Sequence, residues 1–140
     1  MNREEYEELK NGLLSKRESI DKELNDLARD YYKELFEEAK NKFEDKYGII
    51  FGEDSITKFT IYHIKKVAYA NDSMVEFRGD KWYINYDFGE GFHNRCNIDY
   101  EQDARLSVFK NYLRIVSKEE CKNLLDSAKI YNQAIFEKFK

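Results

Sequence analysis

The chain has 140 residues, of which 41% are hydrophobic and 16% aromatic. A chain of this size and composition can bury a core without metal or disulfide support. We therefore expect one folded domain over residues 1–140 and not a disordered tail. Its 28 acidic and 24 basic residues leave a net charge of −4. This balance argues against direct binding to nucleic acid or to an anionic membrane, because both require a basic face.

The cellular compartment is predicted from signals that the sequence lacks. The chain has no apolar run near the roughly 20 residues needed to cross a bilayer. It begins without the charged and then apolar pattern of a secretory signal, and its two cysteines, Cys96 and Cys121, have no CxxC spacing. We therefore expect a cytoplasmic protein with reduced thiols and no membrane segment.

Residues 1–47 are predicted to form one long amphipathic helix. Apolar residues recur there at steps of three, four or seven, which places them on one helix face. The repeat resembles a coiled coil, although Lys16 and Arg17 interrupt it. Tyr47-Gly48 is expected to end the helix, since glycine is common just past a last turn. Six apolar residues of this face form a candidate dimer interface: Tyr6, Leu9, Leu13, Ile20, Leu24 and Leu27.

The length of this helix has a consequence for assembly. About 45 residues rising 1.5 Å each span roughly 68 Å, whereas a compact chain of this size has a diameter of about 37 Å. Either the excess helix pairs with a second copy, or the helix breaks near Gly12–Ser15, where Ser15 and Glu18 have the spacing of a capping box. The apolar face favours the first alternative, a homodimer.

Residues 56–116 are predicted to contain an antiparallel sheet of three to five strands. The strand segments share β-branched and aromatic composition, and they are 56–69, 73–77, 81–88 and 92–100. Residues 70–73 supply the first turn, and Gly79-Asp80 has the composition of a two-residue hairpin turn. The sequence thus predicts a meander.

The end of the chain completes the fold class. Residues 104–116 fit either a helix or a strand, because helical spacing and strand composition overlap there. Ser117 and Glu120 form a capping box that opens an amphipathic helix over residues 117–140. The order of helix, antiparallel strands and helix predicts an α+β fold.

The open face of the meander is the candidate surface for a partner or ligand. Trp82, Ile84 and Tyr86 are expected to face the core, because side chains alternate along a strand. Tyrosine and arginine at the remaining positions are typical of protein–protein hot spots. The register decides whether Tyr62 or His63 joins them, and the alternative is that a helix covers this face. The candidate residues are Glu76, Arg78, Tyr83, Asn85, Asp87, Phe92, His93 and Arg95.

The segment NYDFGEGFHNRCNID, residues 85–99, is the part of the sequence most similar to a catalytic or metal site. His93 and Cys96 are three residues apart, so in a strand they point to opposite faces, which argues against joint ligation of a metal, whereas a loop would allow it. Its glycines match no phosphate-binding motif. We therefore interpret the segment as a turn and expect no metal and no cofactor. An enzymatic alternative, a metal-dependent hydrolase or nuclease, would use His93 with a carboxylate from Asp87, Glu90 or Asp99.

The predicted function is binding. In composition alone, the chain resembles small inhibitors and immunity proteins encoded by phages and mobile elements: short, acidic, free of proline and rich in aromatics. This resemblance implies a protein that binds and blocks a partner. Together with the long amphipathic helix and the lack of a catalytic motif, it leads us to expect a non-enzymatic, dimeric protein that occupies or inhibits a macromolecular partner, most simply another protein. A second alternative is a nucleotide-type ligand, stacked on an aromatic ring of Trp82, Tyr83 or Phe92 and held through its phosphate by Arg78 or Arg95.

Overall fold

The computed structural model describes residues 1–52, 55–88 and 94–138. Within these ranges the elements are α1 (Arg3–Phe43), β1 (Lys46–Gly52), β2 (Ser55–Ala70), β3 (Met74–Phe88), β4 (Asn94–Phe109), β5 (Arg114–Val116) and α2 (Lys118–Lys138). The strands form one antiparallel sheet in the order β4-β3-β2-β1-β5. The α+β prediction is confirmed. In the described ranges, neither helix has an apolar stretch long enough to cross a bilayer.

Helix α1 is continuous over 41 residues. Asn2 caps its start, because the side-chain oxygen of Asn2 accepts a hydrogen bond from the Glu5 amide at 2.8 Å. The helix passes through Gly12 without interruption, so the alternative of a break near Gly12–Ser15 is wrong. By its contacts the chain divides into two units, Met1–Leu35 and Phe36–Lys140. The single folded domain over residues 1–140 stays a prediction.

The end of α1 differs from the sequence-based expectation. The helix stops at Phe43, and Asp45 adopts the left-handed conformation (φ 57°) that a glycine usually supplies after a helix. Gly48 instead lies inside β1, a strand that the sequence analysis missed. A Cβ on Gly48 would lie 2.6 Å from Cδ1 of Leu113. The glycine therefore leaves room for the side chain of Leu113, which precedes β5, and it has no part in the helix end.

The predicted hairpin turn at Gly79-Asp80 is also wrong, because β3 runs straight through both residues. Gly79 pairs with Ile64 on one side and with Ala104 on the other. A Cβ at this position would collide with the backbone carbonyl of His63. Glycine here permits the close approach of β2, which is a role that a strand glycine can have as readily as a turn glycine.

Side chains on β3 alternate without a shift, whereas β2 and β4 carry bulges. The register of β2 against β3 shifts after Ile64 and again after Val67, and the register of β4 shifts opposite Gly79, near Asp103 at φ 53°. Each bulge changes which face the following residues of its strand occupy. On β3, which has no bulge, Val75 and Phe77 are buried on one face and Ile84 on the other, so the sheet buries different faces at its two ends.

Two hydrophobic cores result, one on each face of the sheet. The first core contains the last turns of α1 and is formed by Ala39, Phe43, Tyr62, Ile64, Val67, Ala70, Val75, Phe77, Val108 and Leu113. The second core lies under α2 and is formed by Ile49, Phe59, Ile61, Ile84, Cys96, Cys121 and Ala128. Trp82 and Tyr86 pack against the second core, as the sequence predicted for core positions.

The structure answers the open question about residues 104–116 and confirms the predicted start of the C-terminal helix. Strand β4 continues to Phe109, and β5 follows a short turn, so residues 104–116 are strand and turn. The hydroxyl of Ser117 accepts a hydrogen bond from the Glu120 amide at 3.1 Å. This bond confirms the predicted cap, which starts α2 where its apolar side meets the second core.

Asp80 is a buried carboxylate in the middle of the sheet, and we expect Asp80→Ala to lower the free energy of unfolding by about 2 kcal/mol. It accepts a hydrogen bond from the Asp103 amide at 2.9 Å and lies 3.2 Å from Nζ of Lys65. Burial alone raises the pKa of Asp80, but these two partners outweigh it and lower that pKa below 3.8. Urea denaturation at pH 7 measures the loss, and Asp99→Ala, an exposed carboxylate, serves as the control.

The same variant tests the pH dependence. Because the pKa of Asp80 is lowered on folding, its charge stabilises the protein above pH 3.8, and this contribution is lost as the pH falls through the folded-state value. The difference in the free energy of unfolding between the wild type and Asp80→Ala should therefore become smaller below pH 3.8. A difference that widens on acidification would contradict this account of Asp80.

Candidate interaction surfaces

An exposed apolar stripe runs along α1. At 3.6 residues per turn, its members fall within an arc of about 60° on the helix. Their exposed fractions lie between 46% and 67%. The stripe consists of Tyr6, Leu9, Leu13, Ile20, Leu24, Leu27 and Tyr31. The structure thus places all six predicted interface residues on one surface and adds Tyr31, which continues their spacing.

The predicted binding surface on the sheet does not form a single patch. Since β3 alternates without a shift, Glu76 and Arg78 lie on the face opposite to Tyr83, Asn85 and Asp87. Each face is apolar over one half of its length and polar over the other. The expectation that these five residues share one side is therefore wrong.

The first polar half-face, here called the Tyr83 patch, lies beyond the first core. It is built from cross-strand rows, in which Tyr83 pairs with Thr60 and with Asp99. The remaining members are Lys58, Lys81, Asn85, Asp87, Arg95, Asn97 and Glu101. Lys81 and Glu101 form an ion pair at 3.1 Å, and Tyr83 is 37% exposed. Tyr62 lies on this side of the sheet but is buried edge-on against Phe77.

The second polar half-face carries a row of three cations across three strands. Lys66 pairs with Arg78, and Arg78 pairs with Arg105. They line an open concavity of about 560 Å³ that also contains Glu76. Nε of Arg78 lies 3.9 Å from Asp103, so neighbouring carboxylates offset much of this positive charge. Arg105 was not predicted as a member of this row, because only the strand register brings it beside Arg78.

A separate concavity of about 700 Å³ surrounds His63. The imidazole stacks on Tyr47, with ring centroids 4.4 Å apart, and its Nε2 lies 3.1 Å from a carboxylate oxygen of Asp45. A His–Asp pair can act in proton transfer when a reacting group lies within reach. Here the carboxylate of Asp45 is 86% exposed, and the lining hydroxyl of Ser117 caps α2. The arrangement orients the imidazole against the sheet.

The side chains that the structure describes in the segment 85–99, the candidate for metal chemistry, lie on different faces of the sheet. Cys96 is buried in the second core, whereas Asp87 and Asp99 belong to the Tyr83 patch on the other face. Phe92, His93 and Glu90 lie outside the described residues. Within the described ranges, no three His, Cys, Asp or Glu side chains are grouped to hold a metal ion.

The two thiols have the environment of core side chains. Burial raises the pKa of Cys96 above its usual range. Burial, together with the charge of Glu120, raises the pKa of Cys121 to about 11. Both thiols are therefore protonated at neutral pH, and a protonated thiol is a poor nucleophile.

Comparison with known proteins assigns no function to these surfaces. A functional conclusion therefore depends on the stripe of α1 and on the polar half-faces of the sheet. No family model, no curated protein and no solved structure matches this chain.

Proposed function

We propose that the protein is a non-enzymatic binding protein that dimerises through the α1 stripe and occupies a macromolecular partner. The observation that carries this proposal is the stripe itself: seven exposed apolar side chains on one arc of the helix. From Tyr6 to Tyr31 it extends over about 38 Å. An apolar surface of this length is uncommon on a monomer and is typical of an interaction site.

The energetic reason is the cost of leaving these side chains in water. Fully burying a leucine or isoleucine is worth about 1.5–3 kcal/mol. About half of each stripe side chain is still exposed in the single chain, so a partner can recover roughly half of that value per residue. A second copy presents the same stripe, and two such stripes can pair as in a coiled coil.

The Tyr83 patch is the surface that we propose for the macromolecular partner. It combines an exposed tyrosine with acidic, basic and amide side chains on a regular sheet. Such a mixture favours a protein partner over a nucleic acid, whose backbone would require a net basic surface. Binding there fits inhibition by occupancy, which needs no catalytic group. A nucleotide-type ligand stays an alternative prediction.

The proposal is tested with the full chain in solution. Light scattering over a range of concentrations should give twice the chain mass of 16.9 kDa. A strict monomer at high concentration would overturn the dimer.

The partner is tested by a pull-down with a tagged chain. The wild-type chain should retain a protein in stoichiometric amount, the Tyr83→Ala variant should lose this protein, and the Tyr69→Ala variant should keep it. Tyr69 is the matched control, because it is an exposed tyrosine of β2 outside the Tyr83 patch. Retention by both variants would remove the Tyr83 patch as the site.

A further inference from the structure

We infer that the second copy lies antiparallel on α1, with the two-fold axis beside Ile20. This inference rests on the proposed dimer and adds its orientation and register. In this arrangement, a residue that precedes Ile20 by a given number of positions faces the residue that follows Ile20 by the same number in the partner. Leu13 then faces Leu27 of the second copy, and Leu9 faces Tyr31.

Charge on α1 is the first reason for the antiparallel orientation. Residues 10–17 contain three basic side chains and no acidic one, whereas residues 23–30 contain three acidic side chains and one basic one. The two segments lie at equal distances on either side of Ile20. An antiparallel pair places the basic segment of each copy against the acidic segment of the other. A parallel pair in register would place the two basic segments against each other and the two acidic segments against each other.

The interruption of the stripe is the second reason. Lys16 and Arg17 occupy the turn between Leu13 and Ile20, where the apolar spacing fails. In a parallel pair, four cations would meet in one layer of the interface, and like charges that face each other are repulsive. In the antiparallel pair, this turn faces Glu23 and Leu24 of the partner. The aliphatic stems of Lys16 and Arg17 can cover Leu24 while their charged ends reach Glu23.

Cysteine cross-linking tests the orientation directly. Leu13→Cys and Leu27→Cys are prepared separately, oxidised alone and as a mixture, and the cross-linked peptides are identified by mass spectrometry. We expect the mixture to give the cross-link between positions 13 and 27, and each variant alone to give little. Ser15→Cys is the control for random collision, because it is exposed about 150° round the helix from the stripe. The native thiols of Cys96 and Cys121 are buried and should not interfere.

Charge reversal gives an independent measurement. The double variant Lys16→Glu/Arg17→Glu should weaken dimerisation about tenfold at low salt, because its new carboxylates face the acidic segment of the partner. Adding Glu23→Lys should restore the affinity. A parallel pair in register would exchange its layer of four cations for a layer of four carboxylates, so it predicts little change in affinity for the first variant and no restoration by Glu23→Lys. All changed positions are exposed, so the fold should be retained.

The outcomes separate this inference from the proposed function. A dimer that cross-links between positions 13 and 27 supports both. A dimer in which Leu13→Cys cross-links efficiently to itself, or whose affinity is not weakened on reversal of Lys16 and Arg17, overturns the antiparallel orientation and leaves the proposed dimer intact. A wild-type chain that stays monomeric overturns both.

Discussion

Leu13→Glu is expected to abolish dimerisation at micromolar concentrations, whereas Leu14→Glu should leave it nearly unchanged. Leu13 is one of the α1 stripe residues and is 65% exposed in the single chain. Leu14, also exposed at 42%, points about 100° away from it. A glutamate at position 13 would place a charge in each of two symmetric positions of an apolar interface. We expect the dissociation constant to rise by at least about 100-fold.

The pair of variants is matched in chemistry and in helix context, so their difference reports the position alone. Analytical ultracentrifugation gives the dissociation constants, and far-UV circular dichroism checks that both variants keep the helix content of the wild type. Equal weakening by both variants would indicate a general effect of added negative charge. No weakening by Leu13→Glu would show that the stripe is not the dimer interface.

Gly79→Ala is expected to lower the free energy of unfolding by about 3–5 kcal/mol, or to prevent folding. The added Cβ would collide with the backbone carbonyl of His63, where β2 lies close against β3. Backbone on both sides is held by strand pairing, because Gly79 lies between Ile64 and Ala104. The collision can be relieved only by separating two central strands. Urea denaturation followed by tryptophan fluorescence measures the loss, since Trp82 lies nearby in β3.

Gly12→Ala is the control for this substitution. A Cβ on Gly12 would have no atom within 4 Å, and alanine is favoured over glycine in a helix by about 1 kcal/mol. The change from glycine to alanine should therefore stabilise the protein at position 12 in α1 and destabilise it at position 79 in the sheet. If Gly79→Ala were as stable as the wild type, the close approach of β2 and β3 at this position would be contradicted.

Local patterns predicted the helical parts of this protein because their determinants are close together in the sequence. The three-and-four spacing from Tyr6 to Leu27 places six side chains on one face of any regular helix. The cap at Ser117 needs only the amide of Glu120, three residues later. The fold class follows from the same kind of evidence. The stripe could therefore be recognised as a candidate site without knowledge of any distant contact.

The sheet surfaces could not be predicted in the same way. Gly79 and Asp80 have turn composition, but the partners that keep them in a strand are His63, Lys65 and Asp103, which are distant in sequence. Bulges in β2 and β4 then decide which face each later side chain occupies. Tyr83 and Arg78 lie on opposite faces because β3 continues through Gly79 and Asp80, so the two residues are five positions apart on one strand.

The sequence by itself therefore determined a long amphipathic helix with an apolar stripe, a capped second helix and an antiparallel region between them. The tertiary structure decided the end of α1 at Phe43, the presence of β1, the two cores and the division of polar residues between two half-faces. The physical reason is that helix hydrogen bonds and caps join residues three or four positions apart. Strand register, in contrast, depends on pairing between distant segments, where a shift of one residue exchanges the two faces.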